Sequence, residues 1–163
     1  MFQINDVIVY ENGGVCTIKD IGVPEFLHTD IQYYTMQPVC DMGRTIYVKT
    51  KDNKAYMRTI VSRDEAEEYL TELPAMAGVY NEDDKIRDKE FGSILKSCEC
   101  SRCFRMYKGI SIAQNRKILN GKKLNMNDDR YLHKVEELLS AEYSVIFHIS
   151  LDQAKEKISS ALE

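Results

Sequence analysis

The stretch MRTIVSRDEAEEYL, residues 57–70, marks the point where the periodicity of the sequence changes. Residues 55–60 are rich in β-formers and end a series of short segments of the same kind. Ser62 and Glu65 then form a capping box, in which each side chain accepts a hydrogen bond from the other residue's backbone amide. Apolar residues recur at helical spacing from there to Pro74. We therefore predict that the fold changes from strands to helices at Ser62.

The part of the chain before Ser62 contains four more segments with the pattern of short strands. They are separated by polar turns, of which Asn12-Gly13-Gly14 is the clearest. Closing such a sheet into a barrel removes its exposed edges. We predict a small β-barrel over residues 1–61, with its earlier strands near residues 7–10, 15–21, 33–36 and 45–48.

The part of the chain after Ser62 has the apolar spacing of a helical domain, which we predict over residues 62–163. Asn125 and Ser150 are predicted N-caps, and the second belongs to another capping box. The β-rich segment 143–149 is interpreted as the end of a helix, because its neighbours are helical. Besides the helix at 62–73, helices are predicted near residues 91–98, 100–110, 125–139 and 150–162. The fold class is α+β, with the barrel first and an all-α domain second.

The charge is distributed unevenly along the 163 residues. The chain carries a net charge of −4, yet residues 85–123 contain eleven Lys or Arg against three acids, a local charge of +8. A basic block in an acidic protein indicates a polyanionic partner, with nucleic acid the commonest, or else a solvated face paired with acids elsewhere. The N-terminus lacks the pattern of a signal peptide, and no apolar run reaches membrane length. We expect a cytoplasmic, nucleoid-associated protein.

The segment KSCECSRC, residues 96–103, places three of the five cysteines within six residues. Zinc sites usually need two close ligand pairs, and no second pair is present. Cys100 and Cys103 also share a helical face with Phe104 and Tyr107, and reduced cysteine packs as a small hydrophobe. The thiols are interpreted as core, with a metal site or a redox role as the alternatives.

No other group of residues in the sequence indicates catalysis. There is no nucleophile elbow, phosphate loop or metal-binding helix motif. His28, His133 and His148 are isolated from any partner motif. We predict that the protein is not an enzyme and has no cofactor.

Three stretches of the first half together resemble the N-terminal module of the CarD family of bacterial transcription regulators. They are MFQINDVIVYENGGVCTIKDI (1–21), YYTMQPVCDMGRTIYVKTKDN (33–53) and the stretch at 57–70. The resemblance extends to about residue 73 and is weaker over 82–163. It implies an SH3/Tudor-like barrel that docks on the β-subunit lobe of RNA polymerase. It also implies a helical domain that contacts promoter DNA beside the melted region and stabilises the open complex.

The chain departs from this family at the residues that carry its contacts. Family members typically place a tryptophan at the start of the second helix as a minor-groove wedge, and this chain has no Trp. The corresponding position falls near residues 84–86, where Ile86 is the only side chain that could intrude. The family often contacts polymerase with two arginines. The positions that correspond to them fall near Pro24 and Tyr47 in this chain.

The predicted contact residues follow from the resemblance and the charge pattern. For the polymerase-binding face they are Tyr10, Tyr47, Lys49 and Arg58. For the DNA backbone and minor groove they are Lys85, Ile86, Arg87, Lys89, Arg116, Lys117, Lys122 and Lys123. The alternative function is a module that docks on RNA polymerase and has lost DNA binding, which the missing tryptophan favours.

Overall fold

The computed structural model describes residues 1–11 and 13–163. The turn predicted at Asn12-Gly13-Gly14 includes Asn12, which lies outside the described residues. The chain divides into two compact units, Met1–Ile60 and Val61–Glu163. We refer to them as the sheet unit and the helical unit.

The sheet unit contains five antiparallel strands in the order β4-β3-β2-β1-β5. The prediction of a closed barrel is wrong, because β4 and β5 occupy the two edges of this sheet and do not pair with each other within the described residues. These edge strands have only four and three residues, which leaves few backbone groups for a closing ladder. The strands are β1 (Val7–Tyr10), β2 (Gly14–Gly22), β3 (Tyr33–Pro38), β4 (Ile46–Lys49) and β5 (Met57–Thr59).

One face of the sheet is buried, as the alternation of the strand sequences requires. In β3 the side chains of Tyr34, Met36 and Pro38 are buried, and those between them are half-buried. Ile8 and Ile18 complete the centre of the core from β1 and β2. A register shift between Ile18 and Asp20 marks a β-bulge in β2. Such a bulge bends a strand locally and raises its twist.

The helical unit contains five α-helices and a 3₁₀ turn at Leu73–Ala75. The predicted N-caps are all present: the Ser62, Asn125 and Ser150 side chains accept from backbone amides, and both capping boxes form. None of the helices, within the residues described, is long and apolar enough to span a membrane. The helices are α1 (Arg63–Glu72), α2 (Asp84–Ser97), α3 (Cys100–Leu119), α4 (Met126–Phe147) and α5 (Leu151–Leu162).

Aromatic side chains pack against one another within the core of the helical unit. The Phe104 and Tyr143 rings pack edge to face, with centroids 5.5 Å apart, and Phe91 packs in the same way on Tyr131 at 5.4 Å. The Tyr143 hydroxyl donates to the Ala66 carbonyl at 2.7 Å. Burial raises the pKa of Tyr143 above its ordinary value, so the phenol stays neutral. The interpretation of residues 143–149 as a helix end is confirmed, since α4 runs to Phe147.

The three clustered cysteines are part of this core. Cys98, Cys100 and Cys103 are at most 5% exposed. Cys98 ends α2 in the left-handed conformation, with φ 58°, and Cys100 begins α3 after the N-cap residue Glu99. The interpretation of the cluster as buried core is therefore confirmed. Among the residues that the structure describes, no three or more His, Cys, Asp and Glu side chains are placed to hold a metal ion.

Candidate functional site

The four residues predicted for the polymerase-binding face lie at two ends of the strand order. Tyr47 and Lys49 are exposed on edge strand β4. Tyr10 lies on β1, where it packs partly buried against the core. Arg58 lies on the neighbouring edge strand β5, half-buried, and donates to the Thr59 carbonyl at 3.1 Å. The sheet order therefore separates Tyr47 and Lys49 from Tyr10 and Arg58.

The structure adds Phe26 to the β4 edge. Phe26 is 61% exposed in the loop after β2, and its ring packs edge to face on Tyr47 with centroids 5.1 Å apart. Val23 and Ile31 in the same loop are also exposed. Phe26 is not among the residues predicted from the sequence for polymerase binding, because that prediction considered strand residues only. The signal was present: a large apolar residue stands in a loop, outside any strand periodicity.

The residues predicted for DNA are brought to one end of the helical unit. The start of α2, the end of α3 and the start of α4 meet there, as three polar contacts show. Arg116 of α3 pairs with Glu82 just before α2 at 3.2 Å. Arg87 of α2 pairs with Asp128 of α4 at 2.9 Å. Asn127 of α4 donates to Asp88 of α2 at 2.8 Å.

Arg87 is the member of the predicted DNA set that this arrangement buries. It is 3% exposed, and its guanidinium stacks 4.5 Å over the Tyr80 ring. Burial alone would lower the pKa of Arg87, but the carboxylates of Asp128 and Asp84 outweigh it and raise that pKa. The charge of Arg87 is already paired inside the fold. This conflicts with the prediction that Arg87 contacts phosphate. It is a structural residue.

Tyr80, which is half-buried, completes this network. Its hydroxyl donates to Asp128 at 2.7 Å. Desolvation, together with that hydrogen bond, raises the pKa of Tyr80 to about 12. Asp128 thus accepts from both Tyr80 and Arg87, which connects the segment before α2, α2 and α4.

The remaining cations at this end fall into two groups. Lys85 and Lys89 are exposed on the first turns of α2, with Ile86 between them at 54% exposure. The acidic run 82–84 directly precedes them and is exposed as well. The second group consists of Arg116 and Lys117 at the end of α3, and Lys122 and Lys123 in the following turn.

Only the second group lies in a segment without acids. Residues 114–125 contain its four cations and no Asp or Glu. Among the ion pairs formed by described residues, Arg116 with Glu82 is the only one that involves this segment. The +8 of the basic block is therefore not spread evenly. Residues 85–90 contribute three cations against two acids, directly after the acidic run 82–84, whereas residues 114–123 contribute four cations and no acid, which is half of the +8.

The comparison with protein families supplies the class of the sheet unit. Residues 2–61 match the family model of the CarD-like/TRCF RID domain. This match supports a CarD-like RNA polymerase-interacting domain over residues 2–61, and the family of this domain is non-enzymatic. A comparison with curated proteins found no match. The family match ends at residue 61 and does not extend into the helical unit.

Proposed function

We propose that the protein is a bacterial transcription regulator that docks on the β-subunit lobe of RNA polymerase and contacts promoter DNA with its helical unit. The observation that carries the proposal is the match of residues 2–61 to an RNA polymerase-interacting domain. DNA contact would hold the melted promoter next to the docked regulator and stabilise the open complex.

The proposed polymerase-binding surface is the β4 edge of the sheet. An edge strand presents backbone groups to which a partner strand can add, and exposed side chains beside it provide specificity. Tyr47 and Phe26 form an exposed aromatic pair there, and aromatic side chains are enriched among the residues that dominate binding energy. Lys49 ends the same strand. Tyr10 and Arg58 belong to the other end of the strand order, so we assign them a secondary part.

The proposed DNA contacts are non-specific and lie at the end of the helical unit described above. Lysine and arginine bind phosphates without reading base sequence, and such contacts give affinity that falls as salt rises. With Arg87 buried, the proposed contacts are Lys85, Ile86, Lys89, Arg116, Lys117, Lys122 and Lys123.

The second candidate function is a polymerase-docking module without DNA contact. The acidic run Glu82-Asp83-Asp84 favours it, because these carboxylates stand beside Lys85 and would repel phosphate at the start of α2. The absence of tryptophan favours it as well.

The lifetime of the open complex distinguishes the two functions. Polymerase is incubated with a promoter, a competitor is added, and the decay of open complexes is followed with and without the protein. The proposed regulator lengthens the lifetime, and the effect weakens as salt rises. A protein that binds polymerase but leaves the lifetime unchanged at every salt concentration would be the docking module.

A further inference from the structure

The two cysteines of the sheet unit are neighbours across β2 and β3. Cys16 of β2 lies opposite Pro38, the last residue of β3. The Val39 N–H donates to the Val15 carbonyl at 2.9 Å, which continues this pairing one residue beyond the strand. Cys40 comes next, in the turn that follows β3. The register therefore places Cys40 diagonally across the two strands from Cys16.

The Cys16 thiol is directed towards the end of β2 at which Cys40 lies. Its Sγ donates weakly to the carbonyls of Gly13 at 3.6 Å and Gly14 at 3.7 Å. Continuing the strand register places Gly14 opposite Cys40. The electrostatics agree with this placement. Burial raises the pKa of Cys16 to about 11, the Arg44 guanidinium acts against that rise, and the charge of a Cys40 thiolate adds to it.

The two thiols differ in their access to solvent. Cys16 is 0% exposed, whereas Cys40 is exposed. Core packing explains a buried cysteine, which behaves as a small hydrophobe, but it does not explain an exposed one beside it. An accessible thiol that is oxidised first, next to a second thiol that can attack it, is the usual arrangement of a redox-sensing pair.

The turn after β3 can supply the movement that a bond between the two sulfurs needs. Diagonal neighbours in an antiparallel sheet have Cα atoms about 7–8 Å apart, and a disulfide usually needs about 4.4–6.8 Å. A shift of about 1 Å is therefore enough. Residues 40–45 are all exposed, so this segment can move without disturbing the core.

We propose that Cys16 and Cys40 are a reversible redox pair that closes to a disulfide when the protein meets a hydroperoxide. In the first step the Cys40 sulfur attacks a peroxide oxygen and the O–O bond breaks, which gives a sulfenic acid and, from hydrogen peroxide, water. In the second step the Cys16 sulfur attacks the Cys40 sulfur. The S–S bond forms, the S–O bond breaks, and the leaving hydroxide takes the Cys16 proton as water.

The reaction is balanced by the two thiols and the peroxide alone. The thiols together lose two electrons and two protons, and hydrogen peroxide becomes two molecules of water. A dithiol reductant reopens the bond by thiol–disulfide exchange. The closed bond joins β2 to the turn that leads into edge strand β4, so it restrains a segment of the sheet unit that is exposed in the reduced protein.

The test treats the native full chain with hydrogen peroxide, blocks the remaining thiols with N-ethylmaleimide and maps tryptic peptides without reduction. Trypsin cleaves after Lys19 and Arg44, so the bond links peptide 1–19 to peptide 20–44. We expect this linked pair as the main product, with two of the five thiols lost and three still free. Dithiothreitol should separate the peptides and restore all five thiols.

Two variants separate the roles of the thiols. Cys40→Ser, at an exposed position, should abolish the linked pair and leave all four remaining thiols free after the same brief treatment. Cys16→Ala should leave Cys40 as a sulfenic acid that dimedone traps, without a linked pair. Circular dichroism checks that each variant is folded. The original protein and Cys40→Ser alone decide the question if Cys16→Ala does not fold.

Three results would overturn the proposal. One is oxidation of Cys40 to a sulfinic acid in the original protein while the two peptides stay unlinked. Another is a bond between the Cys40 residues of two copies as the main product, seen as a dimer on a non-reducing gel. The third is a Cys40→Ser variant that loses two thiols as fast as the original protein. None of these measurements involves polymerase or DNA, so the redox pair and the proposed function are tested independently.

Discussion

Arg87 and Asp128 form a buried ion pair that joins α2 to α4, with Nε 2.9 Å from Oδ1 and both side chains at most 4% exposed. Both side chains of the pair form further hydrogen bonds. Arg87 also donates to the Asn81 carbonyl at 2.8 Å, and Asp128 accepts from Tyr80. The start of α2, which the resemblance would place near DNA, is in this protein anchored by a structural network.

Removing one partner of this pair leaves an unpaired buried charge. We expect Asp128→Ala to lower the free energy of unfolding by about 3–5 kcal/mol. Urea denaturation followed by circular dichroism measures it. The matched control is Asp129→Ala, whose side chain is half exposed and, among the residues that the structure describes, forms an ion pair with His133 alone, at 3.6 Å. That change is expected to cost about 1 kcal/mol or less. Equal losses for the two variants would contradict the structural role of the network.

Asp88 predicts a pH dependence of stability. Hydrogen bonds from Asn127 and Tyr131 lower the pKa of this carboxyl below its ordinary value of 3.8. A carboxyl whose pKa is lower in the folded state than in the unfolded state stabilises the fold at pH values above its unfolded pKa. This stabilisation is lost as the pH falls through the folded pKa. Denaturation of the original protein and of Asp88→Asn at several pH values measures the contribution.

The difference in unfolding free energy between these two proteins is expected to be constant above about pH 5 and to shrink towards zero in acid. Tyr131→Phe removes one of the two hydrogen bonds to Asp88. When both proteins also carry this change, the part of their free-energy difference that is lost in acid becomes smaller. A difference that grows as the pH falls would show that Asp88 is not stabilised as a carboxylate.

Gly109 lets the backbone before α2 approach α3. The Val79 N–H donates to the Arg105 carbonyl at 2.9 Å, and a Cβ on Gly109 would overlap the Val79 backbone. We expect Gly109→Ala to cost about 1–3 kcal/mol. Gly92, inside α2, is the control, because a Cβ there would come no closer than 3.7 Å to the Tyr131 hydroxyl. Gly92→Ala should stabilise the protein by up to about 1 kcal/mol.

The thiols predict a simple labelling pattern. Cys40 is exposed, and the other four cysteines are buried. Burial raises the pKa of Cys16 to about 11, so at pH 8 roughly one part in a thousand is the reactive thiolate. Mass spectrometry after brief iodoacetamide treatment should find one modified thiol in the native protein and five in urea. Cys40→Ser should remove the fast reaction. Rapid labelling of Cys98, Cys100 or Cys103 would instead support a redox role.

Much of the local structure could be predicted from the sequence because its signals are local. The side chains of Ser62, Asn125 and Ser150 form the predicted caps, and the helical spacing after each cap gives the helix that follows. Strand alternation likewise located β1 to β5 to within a few residues. Closure of the barrel could not be predicted in this way. It depends on whether two edge strands pair with each other, and the local sequence of a strand does not show which other strand it pairs with.

The site residues were harder to predict for the same reason. Arg87 has the spacing of an exposed cation, and its burial depends on Asp128, 41 residues away. Phe26 became a candidate only when the fold placed its ring on Tyr47. By contrast, the lysines after α3 lie in a segment without acids, so their surplus charge could be read from the sequence.

The most direct test of the central claim is the affinity of the full chain for RNA polymerase, measured by biolayer interferometry on the immobilised enzyme. Tyr47→Ala is compared with Tyr56→Ala, which removes another exposed tyrosine of the sheet unit, at 55% exposure. We predict saturable binding that Tyr47→Ala weakens by about thirtyfold, or about 2 kcal/mol. Tyr56→Ala and Lys117→Ala/Lys122→Ala should bind as the original protein does. No binding to polymerase, or equal losses in all three variants, would contradict the account.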